Sequence, residues 1–189
     1  MPESLEPLAD EQVVAEALQN KERFAELVHR YQERLSRYLR RLGVFRLEDI
    51  EDVLQNAFLK AYRNLNDFDQ KLRFSSWMYR IAHNEAMSFF RANSARPHGH
   101  LVDESDDKLE LLQSDLNVER EVEKKLTGEV ISSALQSLEP KYRDVLVLRY
   151  LEERDYNEMS DILKIPVGTV GTQINRAKKR LAVILAHLS

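Results

Sequence analysis

The chain has 189 residues, 28 Lys+Arg against 32 Asp+Glu for a formal net charge of -4, and 43% hydrophobic residues, enough to bury one core or two small ones. It contains 5 Gly, 5 Pro and no Cys, which argues against a turn-rich sandwich or barrel and removes disulfides, thiol nucleophiles and Cys-ligated metal centres. No apolar run approaches the roughly 18–20 residues that span a bilayer, and the acidic opening MPESLEPLADEQ has no secretion-signal core, so a soluble cytoplasmic protein without membrane insertion is expected.

Asp10 is placed to cap a short first helix bearing Val13, Val14, Ala17 and Leu18. From Phe24 the residues Phe24, Leu27, Val28, Tyr31, Leu35, Tyr38, Leu39 and Leu42 follow one helical stripe, and Gly43 is a natural stop. Ile50, Val53, Leu54, Ala57, Phe58, Ala61, Tyr62 and Leu65 mark a second strong helix. Its outward stripe, Asp52, Gln55, Asn56, Leu59 and Arg63, sets one Leu among polar neighbours. A lone exposed Leu ordinarily means nothing, but this one has the form of an apolar centre in a polar-rimmed partner interface.

A third helix is expected from an N-cap at Ser75 or Ser76 to about Arg91. Residues 73–84 read RFSSWMYRIAHN, aromatic rings interleaved with cations. That mixture suits single-stranded DNA, whose bases stack on rings at about 1–3 kcal/mol each while phosphates meet Arg and Lys. Trp77 shares a stripe with Ile81 and is expected to be mostly structural. Lys71, Arg73, Phe74, Arg80, His83 and Asn84 stand out as the DNA contacts.

From Asn93 to about Lys124, Pro97, Gly99 and a weak apolar pattern read as a linker. Charge divides the same way. Residues 71–100 hold five cations and one acid, 101–123 hold nine acids against Lys108 and Arg120, and no acid follows Ile162. The net figure hides two basic stretches around an acidic one, and a polyanion responds to the field within about 8–10 Å.

Helices resume with Leu126, Val130, Ile131, Ala134, Leu135 and Leu138, stop before Pro140, and run again from about Tyr142 to Leu151. Asp155 and Glu158 have capping-box form, opening a helix to about Lys164. Residues 165–168 should form a tight turn in which Gly168 supplies freedom in φ, with a last helix starting near Thr169. There Val170, Ile174, Ala177 and Leu181 share an inward face, leaving Gly171, Thr172, Gln173, Asn175, Arg176, Lys178 and Lys179 outside. This suits a helix-turn-helix whose second helix enters a major groove, the alternative being an ordinary amphipathic helix with a solvated basic face. Gln173 and Asn175 suit base edges, and Arg176 suits guanine or phosphate. The whole reads as all-α: two small helical domains, 1–94 and 126–189, joined by a flexible acidic linker at 95–125.

Residues 137–150 (SLEPKYRDVLVLRY), 156–163 (YNEMSDIL) and 165–181 (IPVGTVGTQINRAKKRL) resemble region four of bacterial sigma factors of the extracytoplasmic-function (ECF, group IV, sigma-70 family) type. Residues 49–62 (DIEDVLQNAFLKAY) resemble region two's core-binding helix, and 73–84 its strand-reading motif. The resemblance implies docking on the RNA polymerase core, at the β′ clamp helices through Asp49, Asp52, Gln55, Asn56, Leu59 and Arg63, and at the β flap. It implies binding of the promoter's minus-ten element by Lys71, Arg73, Phe74, Ser75, Trp77, Arg80, His83, Asn84 and Arg91, with a flipped base held by the 64–73 loop. The minus-thirty-five element would fall to Thr169, Thr172, Gln173, Asn175, Arg176, Lys178 and Lys179. It further implies control by an anti-sigma factor, a monomer when free, and threading of the acidic linker (Asp103, Glu104, Asp106, Asp107, Glu110, Asp115) toward the polymerase active-site channel. Ser88, Gly171 and Asn56 depart from the family pattern, which bears on the promoter sequence rather than the class.

Two rival readings are weaker. For catalysis, the carboxylates Glu48, Asp49, Glu51 and Asp52 have no nearby His, and the five His are scattered, so no metal site or cofactor is expected. A free-standing helix-turn-helix regulator would have no use for the aromatic and basic motif at 73–84.

Overall fold

The computed structural model describes residues 8–70, 72–93, 112 and 128–188, and no strand occurs among them. The N-terminal half packs α1 (Asp10–Gln19), α2 (Phe24–Leu42), α3 (Leu47–Arg63) and α4 (Phe74–Asn93), with 3₁₀ turns at Lys21–Arg23 and Leu65–Asp67. The C-terminal half packs α5 (Gly128–Gln136), α6 (Pro140–Leu146) and α7 (Tyr156–Leu163) against α8 (Val167–Leu188). A π-helical turn, Val147–Leu151, follows α6. No helix among the described residues is long and apolar enough to cross a membrane. The expected linker, 95–125, lies outside the described residues except for Leu112, which is fully buried in the core.

The periodic stripes do what periodicity demands. On α2, Phe24, Leu27, Tyr31, Leu35, Tyr38, Leu39 and Leu42 are buried, and on α3 so are Ile50, Val53, Leu54, Ala57 and Ala61. Gly43 ends α2 at φ 103°, a left-handed conformation that costs glycine nothing. A Cβ there would also lie 2.8 Å from Gln136 Oε1, so Gly43 lets α5 approach, and Gln136 Nε2 donates to the Arg41 carbonyl at 2.9 Å.

Three local expectations are corrected. Asp10 is the first helical residue rather than the cap; its carboxylate is drawn to Arg30 and the Tyr31 hydroxyl instead. α4 begins at Phe74, before Ser75, because the Glu11 carboxylate accepts the Phe74 N–H at 3.2 Å. In the helix-turn-helix the left-handed residue is Lys164 (φ 56°), whereas Gly168 lies inside α8, which starts at Val167. The capping box forms as expected: Asp155 accepts the Glu158 N–H at 2.8 Å and Glu158 accepts that of Asp155 at 3.0 Å.

The halves are joined as well as tethered. α7 lies along α4, α6 and the π turn meet α2, and one buried cluster contains residues of both.

Candidate functional site

The outward side of α3 carries a groove of about 620 Å³ shared with α2. Its buried or half-buried floor is Phe24, Val28, Leu54 and Phe58, and its exposed rim includes Gln32, Asp52, Gln55, Leu59 and Tyr62. Leu59 and Tyr62 are 44% and 39% exposed. The six residues expected to meet the polymerase therefore divide. Asp52, Gln55 and Leu59 line the groove, while Asp49, Asn56 and Arg63 do not. Sequence reading missed Phe24, Val28, Gln32 and Tyr62 as groove residues, having assigned the three apolar ones to the core. Tyr62 is held at the edge by an edge-on contact with Phe24, ring centres 5.3 Å apart, and by Lys21, 5.6 Å from its ring.

On α4 the expected strand contacts also divide, by position along the helix. Arg80 is half-buried and Asn84 and Arg91 are exposed, at offsets that share one face. Phe74 is fully buried, against Tyr31, Phe68 and Trp77 at centroid distances of 5.5–5.6 Å, and presents no atom to a strand. Trp77 is buried beside it, in keeping with a structural role. His83 is buried as well, its Nδ1 sharing a 3.0 Å hydrogen bond with the Tyr38 hydroxyl. Arg73 and Ser75 reach the C-terminal half, Arg73 standing 3.2 Å from Glu158 and Ser75 accepting from Arg154 at 3.3 Å. Lys71 lies outside the described residues.

The expected recognition face of α8 is in part exposed. Val170, Ile174, Ala177 and Leu181 are buried, Thr172, Asn175, Arg176 and Lys179 are exposed, and Thr169, Gln173 and Lys178 are half-buried. Arg180 is engaged elsewhere, paired with Glu139 and stacked 4.4 Å from the Tyr142 ring. The turn before α8 is closed by Ser160, whose hydroxyl donates to the Ile165 carbonyl at 2.6 Å.

Residues 27–96 match the family model for sigma-70 region 2, and 128–181 that for sigma-70 region 4. The chain is 32% identical over 171 residues to the ECF RNA polymerase sigma factor SigW of Bacillus subtilis, covering 87% of this chain and 90% of that one. It is 33% identical over 182 residues to the ECF RNA polymerase sigma-E factor of Escherichia coli, covering 93% and 94%. This chain is an ECF sigma factor of the sigma-70 family. Among solved structures it is similar to CnrH in complex with the cytosolic domain of CnrY, with TM-score 0.70 and 27% identity over 96% of this chain and all of that one. It also shares the fold of the sigma factor RpoE of Bartonella quintana, solved with the anti-sigma factor NepR, at TM-score 0.65 and 18% identity over 86% and 96%.

Within this sigma factor His83 and Asp144 face each other across the two halves at 3.9 Å. Burial, helped by the Arg143 cation, pushes His83 down to about 4. Burial pushes the Asp144 carboxyl up to about 6, although Arg143 Nε donates to it at 3.1 Å. His83 therefore contributes stability above its ordinary 6.5 that is lost as pH falls through 4. Asp144 contributes stability below its ordinary 3.8 that is lost as pH rises through 6. Each amounts to about 3 kcal/mol, of opposite sense, so the two offset each other between these limits. Asp144→Asn should leave the His83 limb alone. Denaturant unfolding of this variant should show stability falling by about 3 kcal/mol from pH 6.5 to pH 4, with a much flatter profile in the parent chain.

Proposed function

We propose that the chain binds the RNA polymerase core through the α2–α3 groove, directs it to promoters by reading a minus-thirty-five element with α8 and a minus-ten element with α4, and is held in check by an anti-sigma factor. The observation that carries this reading is the spread of the family likeness over both halves, region 2 followed by region 4, at 93% coverage of the chain. The groove supplies what core docking needs, an apolar centre with a polar rim. The α8 face supplies what duplex reading needs, amide side chains near the helix start and cations beyond them. The two similar structures solved with a CnrY domain and with NepR support the anti-sigma element.

Run-off transcription from a genomic promoter library, with purified chain and core polymerase lacking its own sigma, tests the reading. Transcripts that depend on the chain and share a two-part upstream motif are expected. No transcripts and no co-elution with core would favour a free-standing helix-turn-helix regulator. Arg176→Ala, at an exposed position on α8, should weaken initiation at minus-thirty-five-dependent promoters about tenfold to a hundredfold while leaving core binding unchanged. A loss confined to core binding would remove Arg176 from the DNA face.

A further inference from the structure

The halves of this sigma factor meet through charge. Glu152, just after the π turn, has each carboxylate oxygen taken by the N-terminal half: Arg41 Nη1 donates to one at 2.5 Å and the Tyr79 hydroxyl to the other at 2.6 Å. Glu158 on α7 accepts from Arg154 at 3.2 Å and stands 3.2 Å from Arg73. Arg154 stacks 4.2 Å from the Tyr79 ring centre and donates to Ser75. The side chains of Glu152 and Glu158 are 7% and 9% exposed. Two carboxylates of the region 4 half thus sit on Arg41 at the end of α2 and on Arg73 and Tyr79 at the start of α4, and Arg73 is one of the expected strand contacts.

The energetics favour a contact that parts. A buried ion pair roughly breaks even against the cost of desolvating it. Arg154 Nε and Nη2 are buried with no hydrogen-bond partner among the described residues, which weakens the contact further. The π turn that delivers Glu152 is itself a departure from regular helix, of the kind often found at working positions.

We propose that Glu152 and Glu158 are internal anion mimics: in the closed chain they occupy phosphate-binding positions on the strand-reading face of region 2, and single-stranded DNA must displace them. Arg41 and Tyr79, neither of them among the expected contacts, become a phosphate cradle when the halves part. The inference rests on the reading of α4 as the strand-binding helix.

The test uses the full chain, whose lack of Cys lets two introduced ones be labelled alone. Ala25→Cys and Val183→Cys place labels at exposed sites in each half, away from the groove and the 64–73 loop. A combined Glu152→Gln, Glu158→Gln variant removes both charges and keeps the shapes, and Gln at 158 still completes the α7 capping box. If about one chain in ten is open, unlocking should tighten binding of a single-stranded oligo-dT about tenfold and lengthen the label-to-label distance. Tyr79→Phe in that background should return much of the gain. Glu33→Gln with Glu48→Gln, which removes equal charge from exposed positions outside the groove, should give little.

Unchanged affinity and distance would overturn the latch, and longer distances without tighter binding would overturn the mimicry. An equal gain in the charge control would reduce the effect to bulk charge and overturn it too. Wild-type run-off activity keeps the sigma reading standing in each of these cases, whereas loss of both run-off and co-elution with core sinks that reading itself.

Discussion

Leu59→Asp is expected to abolish binding to core polymerase while leaving the fold intact. Leu59 is 44% exposed on α3, so an Asp there meets water in the free chain and costs little more than a difference in helix propensity. In a complex that covers the groove the position is buried beside its apolar floor. The change then forfeits about 1.5–3 kcal/mol of side-chain burial and forces an unpaired carboxylate out of water, beside Asp52 and Glu51 on the same groove. Together these exceed 3 kcal/mol, more than about a hundredfold in affinity. Competition for fluorescently labelled core, with a melting curve as the folding control, reads it directly. Asn56→Ala lies off the groove and should change affinity little. If Leu59→Asp competes as well as the parent chain, the groove is not the docking surface.

Legibility in the sequence followed the strength of local pattern. The stripes of α2, α3 and α8 were legible because a buried face repeating every three or four residues leaves no other helix orientation. The Asp155–Glu158 box was legible because it is closed within three residues. The groove was only half legible. Asp52, Gln55 and Leu59 lie on one face of one helix, but Phe24, Val28 and Gln32 come from α2, and the angle at which α2 meets α3 is a tertiary fact. Contacts between the halves carried no signal, since Arg41 and Glu152 are 111 positions apart and each reads as an ordinary surface charge. The likeness at 73–84 placed aromatic and cationic residues on α4 without giving their directions. Those directions follow from which rings the neighbouring elements supply, and they turned Phe74 and His83 inward.

Phe74 yields the second large effect, because its burial and its place in the strand-reading motif predict different outcomes. Its ring is 0% exposed at the N-terminus of α4, between Tyr31 of α2 and Phe68 of the preceding loop, with Trp77 one turn on. Phe68 and Trp77 also touch, at 5.2 Å between ring centres, so removing Phe74 takes the shared member out of a four-ring cluster. The Glu11 carboxylate that accepts the Phe74 N–H ties α1 to the same point. Phe74→Ala should therefore lower the unfolding free energy by about 3–5 kcal/mol, the cost of lost transfer energy plus an unfilled cavity. For a chain of this length that is a fall of roughly 10 °C in melting temperature. Phe74→Leu, which refills most of the volume, should recover the larger part of the stability and with it promoter opening. Were Phe74 instead a surface on which a base stacks, Phe74→Ala would melt as the parent chain does, and neither variant would open the promoter normally. Calorimetry beside permanganate footprinting of the minus-ten region separates the two, since only the buried ring ties the chemistry of opening to the stability of the fold.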